Sequence, residues 1–205
     1  YDIFLTDSAE ASIHTIIDYY RYSGTLIDKN SEIWIPETIN RSISNIIQYS
    51  AFPSIKPSNQ TKDVLIFHQF GYLNDLSSVI KKAKLNNWFL IEDCSDALIC
   101  YNGANEAELK GDAALFDLSK FFPSYGGGAI ATKNKKMSKF IRKKLDSKTS
   151  WSSYFPVIIK MICNKSKIHQ SNSFSNKLLE MYDFISPFYL KINSISKRYI
   201  RKNII

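Results

Sequence analysis

The sequence predicts an α/β fold with a mostly parallel sheet, followed by a helical C-terminal segment. Three observations carry this prediction. Strand-like and helix-like stretches alternate between Glu32 and Thr132, the order that βαβ connections produce. The run Trp88 to Ile91 is apolar at every position, as in a strand buried on both faces, and such strands belong to parallel sheets. A chain of 205 residues with 44% hydrophobic content is long enough to bury one large core.

The elements follow in order. A helix is predicted from Ser8 to about Tyr22, closed by a turn at Gly24, and a strand from Glu32 to Ile35 leads through Pro36 into a helix beginning near Asn40. A short strand at Ser54 to Ile55 and a Pro/Ser/Asn loop ending at Lys62 precede the strand Val64 to His68. Helix Leu73 to Leu85 and strand Trp88 to Glu92 come next, then strands Ala113 to Leu118 and Ala129 to Thr132. Residues 133–148 read as an amphipathic helix with Met137, Phe140, Ile141 and Leu145 on one face. Beyond it the periodicity stays helical but is broken by Pro156, an Asn/Ser-rich stretch and Pro187. The expected division is a domain over 1–148 and a basic helical extension over 149–205.

Charge divides earlier, after residue 132. Residues 1–132 hold 10 Lys+Arg against 16 Asp+Glu, and residues 133–205 hold 17 against 3. The bland reading of the basic run is a solvated helix face, and contact of this tail with nucleic acid or membrane is not expected. Three cysteines show no metal-ligand spacing, so no metal site is expected and reduced thiols in a cytoplasmic protein are. The longest apolar runs are far shorter than a membrane span requires.

The segment IEDCSDAL brings Glu92 and Asp93 to the carboxyl end of a buried strand, the edge where parallel sheets bind ligands. A carboxylate there needs a cationic or proton-donating partner, because an unpaired buried charge is costly. Downstream, GDAALFDLSKFFPSYGGGAIAT places Lys120 after one apolar strand, and Pro123 with Gly126 to Gly128 reads as a tight hairpin turn into the next. His68, on a strand end, reads as a hydrogen-bonded structural histidine.

Four ordered blocks, IWIPETINRSISNII, VLIFHQFGYLNDLSSVIKKAKLNNW, IEDCSDAL and FDLSKFFPSYGGGAIAT, resemble the DegT/StrS-type nucleotide-sugar aminotransferases, within the fold-type I pyridoxal phosphate enzymes. The resemblance covers roughly residues 3–145. It implies the three-layer large domain of that fold type and pyridoxal 5'-phosphate as cofactor. Lys120 would join the cofactor aldehyde and later move protons at the substrate carbon. Asp93 would pair with the pyridine nitrogen, and Asp96 would stand near the ring hydroxyl, where relatives carry Gln or His. TDSAEASIHTIIDYY resembles the turn into a helix that holds the phosphate, with Ser8 and Ala9 as candidates. Asp117 stands where relatives carry a phosphate-binding serine, which Ser119 is the candidate to replace, and Thr38 stands where many carry a stacking aromatic.

The implied activity is amino transfer, with glutamate as donor, onto a nucleotide-linked keto sugar in surface polysaccharide or amino-sugar biosynthesis, by a homodimer. The alternative is a reduced relative that keeps the fold for binding or assembly. Relatives carry more chain on both sides, so the expectation is a partial chain or a reduced relative.

Overall fold

The computed structural model describes residues 1–145 apart from 27, 29, 72–76, 99–100, 103–104, 107–108 and 123–125. The helical extension expected over 149–205, the end of the helix predicted to reach 148, Pro123 and the expected helix start at Leu73 lie outside the described residues.

Among the described residues, strands and helices follow one another as β1 (Asp2–Thr6), α1 (Ala9–Tyr22), β2 (Glu32–Trp34), α2 (Arg41–Ser50), β3 (Phe52–Ser54), β4 (Thr61–Phe67), α3 (Ser77–Asn86), β5 (Phe89–Cys94), β6 (Tyr101–Asn102), β7 (Asn105–Glu106), β8 (Ala113–Asp117), β9 (Gly128–Thr132) and α4 (Lys135–Leu145). Seven of the strands form one sheet in the order β1-β9-β8-β5-β4-β2-β3, and β6 and β7 form a separate two-stranded pair. Strands β8, β5, β4, β2 and β3 pair in parallel, and β9 is antiparallel to both β8 and β1. The expected α/β, mostly parallel architecture is therefore the one observed.

Strand alternation sorts side chains into two layers of core. Leu65, Ile91, Leu115 and Ile130 pack with Ile13, Ile16 and Ile17 of α1, Ile43, Ile46 and Ile47 of α2, and Met137 and Ile141 of α4. Val64, Ile66 and Leu90 face the other way, where Ala83, Val79 and Ile80 of α3 cover them. Helices on both faces of a sheet explain why the central strands read as unbroken apolar runs. Pro53 sits in β3 at the sheet edge, where its missing N–H costs no ladder bond.

Two expectations are corrected here. Sequence alone predicts no strand before Ser8, yet Asp2–Thr6 forms one and pairs with β9 from Asp2↔Thr132 to Thr6↔Gly128. The glycine run is not a tight hairpin turn. Ten residues separate β8 from β9, including a 3-10 turn over Leu118–Lys120, and Gly128 already belongs to β9. What Gly128 provides is closeness, since a Cβ there would lie 2.4 Å from the backbone carbon and oxygen of Ser8. Gly127, at φ 129, donates its N–H to the Asp7 carbonyl at 2.6 Å. The glycines thus press β9 against the turn that starts α1.

Candidate functional site

Because β1, β5 and β8 point the same way, the residues just past their carboxyl ends collect on one sheet edge. The register fixes the order: Phe4, Ile130, Leu115, Asp93 and Phe67 form one row across five strands, and Thr6, Gly128 and Asp117 lie in register two residues further on. Ser8 lies two residues beyond Thr6 and Lys120 three beyond Asp117. The candidates named from sequence therefore come from three strands to one place.

Asp93 shares its sheet face with Ile91 and Leu115, the face covered by α1. It is completely buried; its Oδ1 accepts from the Ser95 N–H at 2.9 Å and its Oδ2 has no hydrogen-bond partner among the described residues. Burial lifts its pKa to about 6, against the hydrogen bonds from Ser95 and the nearby Lys120 charge, which act in the opposite sense. The acidic pair foreseen at this edge is divided by the pleat. Glu92 faces the α3 side, where its Oε2 lies 2.8 Å from His68 Nε2 and its Oε1 accepts from the Lys110 N–H at 2.6 Å and from the Gly111 N–H. Glu92 is thus satisfied inside the protein, and His68 is hydrogen-bonded to it through Nε2, while the buried Nδ1 has no hydrogen-bond partner among the described residues.

Lys120 closes the 3-10 turn after β8 and contacts the Asp96 carboxylate through Nζ; both side chains are partly exposed, at 37% and 24%. Asp117 caps that turn. Its Oδ1 accepts from the Ser119 N–H at 3.0 Å and from Ser119 Oγ at 2.6 Å. Sequence reasoning misses this role, although an Asp two residues before a Ser is the pattern of a side chain bonding its own following backbone. The turn also removes the simple strand alternation that would set Ser119 and Lys120 on opposite faces.

Ser8 is the N-cap of α1. Extended at φ −163, it accepts the Ala11 N–H on Oγ at 3.1 Å, which leaves the hydroxyl hydrogen able to donate to an anion. Its carbonyl is held by Ser12 N–H at 3.0 Å and Thr6 Oγ1 at 3.0 Å, and Ala9 opens the first turn beside it. An acidic ligand group at this helix start would meet the Ser8 hydroxyl and the positive end of the helix dipole.

A cavity of about 710 Å³ between α1 and α4 is lined by Tyr19, Tyr22, Phe140 and lysines, and another of about 330 Å³ runs past Trp34, Pro36, Thr38 and Phe67; neither includes Asp93, Asp96 or Lys120.

A buried acid at the end of a central strand, a lysine just after the next and a capped helix start thus lie at one edge of a seven-stranded sheet with one antiparallel strand. A family model described as "Putative PLP-dependent aminotransferase" matches residues 1–200, and the chain belongs to that family. GDP-perosamine synthase of Escherichia coli O157:H7 is 28% identical over 130 residues, covering 61% of this chain and 31% of that protein. Helicobacter pylori PseC, an aminotransferase involved in the biosynthesis of pseudoaminic acid, superimposes with a TM-score of 0.59 at 17% identity, over 74% of this chain and 46% of its own. TlmJ, an aminotransferase from Streptoalloteichus hindustanus, gives 0.57 at 17% identity over 70% and 43%. The two structures establish the likeness of fold, and the chain spans about a third of the curated relative's length. Among the described residues no helix is long and apolar enough to cross a membrane.

Proposed function

We propose that the protein acts as a pyridoxal phosphate-dependent aminotransferase on a nucleotide-linked keto sugar. The observation that carries this reading is the buried, half-partnered Asp93 on the same sheet edge as Lys120. The residues present fit the cofactor: the orphaned Oδ2 suits a protonated ring nitrogen, Lys120 offers an amine, and Ser8 with the start of α1 suits a phosphate.

Pyridoxal phosphate, when bound, supplies an electron-withdrawing ring that stabilises negative charge at the substrate carbon. Asp93 would hold the protonated ring nitrogen through its Oδ2, and its burial excludes water there. Lys120 takes a proton from the amino donor's carbon and returns one to the acceptor sugar's carbon. Ser8 and Ala9 anchor the phosphate, Asp117 and Ser119 fix the Lys120 turn, and Asp96 contacts the Lys120 amine. Glutamate as donor, a nucleotide-sugar acceptor, cytoplasmic location, a role in surface polysaccharide synthesis and a homodimer are parts of the same reading. Support for the sugar comes from the names of the relatives, and the domain boundary near 148 is part of the same reading.

Adding pyridoxal phosphate to purified protein should produce a near-visible absorbance band, and Lys120→Ala should abolish it. A wild-type protein that shows no band overturns the reading. A reduced relative that binds without turnover is the second reading, favoured by the contact that already engages Lys120 with Asp96. If the band forms but L-glutamate does not discharge it, the second reading stands.

A further inference from the structure

We propose that Asp96 is a positioning residue that holds the Lys120 amine in an ion pair before the cofactor arrives, so that cofactor capture requires this pair to open. The proposal rests on the reading of the site given above. Three observations lead to it. Lys120 Nζ contacts Asp96 Oδ1 directly, with 37% and 24% of the two side chains exposed. Asp93 is the other acid whose charge acts with these two, and its Oδ2 stays unpartnered among the described residues while Asp96 takes the amine. Asp117, the third acid nearby, is occupied by Ser119. The amine thus rests on the more exposed acid, and the buried acid is left for another donor.

The bond-making step explains the consequence. Attack on an aldehyde carbon needs a lone pair on Nζ, and an ammonium held by a carboxylate has none free. Nζ gives up one proton as the C–N bond forms, the aldehyde oxygen leaves as water carrying two of the three ammonium hydrogens, and the remaining proton stays on the new C=N nitrogen. Charge and atoms balance without an oxidant or reductant. What Asp96 controls is the opening before attack. A partly exposed pair contributes little, so the effect is about twofold to fivefold in rate.

Competitive acetylation with acetic anhydride, read by mass spectrometry of the Lys120 peptide, measures the availability of that amine without any cofactor. Asp96→Asn should label about twofold to fivefold faster than wild type, and Asp96→Glu, which keeps the charge, should return toward the wild-type rate. The same ranking should hold for the rate at which pyridoxal, which lacks the phosphate and so the anchoring at Ser8, develops its band. A band with Lys120 labelling unchanged or slowed in Asp96→Asn overturns the positioning role of Asp96 alone. No band from pyridoxal phosphate in wild type or variant overturns the aminotransferase reading and the capture step with it.

Discussion

At the scale of single residues, Asp93 meets opposing demands. Burial raises its folded pKa from 3.8 to about 6. A group raised on folding contributes stability that is complete below its unfolded value and is lost as pH rises through the folded one. The cofactor-free protein should therefore lose about 3 kcal/mol between about pH 4 and pH 7, because each tenfold change in proton affinity is worth roughly 1.4 kcal/mol. Urea unfolding across that range would display it, and Asp93→Asn should flatten the slope while weakening retention of pyridoxal phosphate. An unchanged slope in Asp93→Asn would assign the pH dependence to another group. Asp63 makes a similar case with no ligand in view. It is fully buried in β4 near the buried Tyr20, and among the described residues neither carboxylate oxygen nor the Tyr20 hydroxyl has a hydrogen-bond partner. Burial raises this acid's pKa well above normal. Asp63→Val should raise the unfolding free energy at neutral pH by about 1 to 3 kcal/mol, since it removes an unsatisfied acid from an apolar layer. A loss of stability in that variant would show that the acid is satisfied after all.

At the scale of elements, β9 and α1 are coupled through glycine. Gly128 lets β9 pass against Ser8, so Gly128→Ala must push the start of α1 aside, because the atoms it meets are backbone. Loss of about 1 to 3 kcal/mol in unfolding free energy, with weaker binding of pyridoxal phosphate, is expected from overpacking at this contact. Loss of stability with unchanged cofactor affinity would separate the turn from the phosphate role. The elements also show which features could be read directly from sequence. β4 and β5 were legible because burial on both faces leaves an unbroken apolar run, and α1 because its capping serine precedes an apolar stripe. β1 was not, since its five residues mix exposed Ile3, at 70%, with buried Phe4 and Thr6 and make sense only beside β9. Glu92 and Asp93 look alike in sequence, and only the pleat sends one to His68 and the other to the candidate site. The role of Gly128 depends on a turn about 120 residues earlier in the chain, and no local pattern encodes such an approach. Asp117 is the intermediate case, because the Asp-Leu-Ser spacing carries its cap while its meaning comes from a family position.

At the scale of the whole molecule, charge divides after residue 132. The acidic residues 1–132 build the sheet and the candidate site, and the basic residues begin with α4. The chain covers 31% of GDP-perosamine synthase and less than half of PseC and TlmJ, and the homodimer is part of the function proposed above. Sedimentation velocity should then find a two-chain species that pyridoxal phosphate strengthens, and a single-chain species at every concentration would contradict the homodimer. The central claim is that Lys120 is the amine that takes the cofactor, and one measurement tests it most directly. Incubation with pyridoxal phosphate, reduction with borohydride and peptide mass spectrometry should place one phosphopyridoxyl group on Lys120, at substoichiometric reagent, ahead of the exposed lysines of α4. Label spread over the α4 lysines, with Lys120 unmodified, would contradict it.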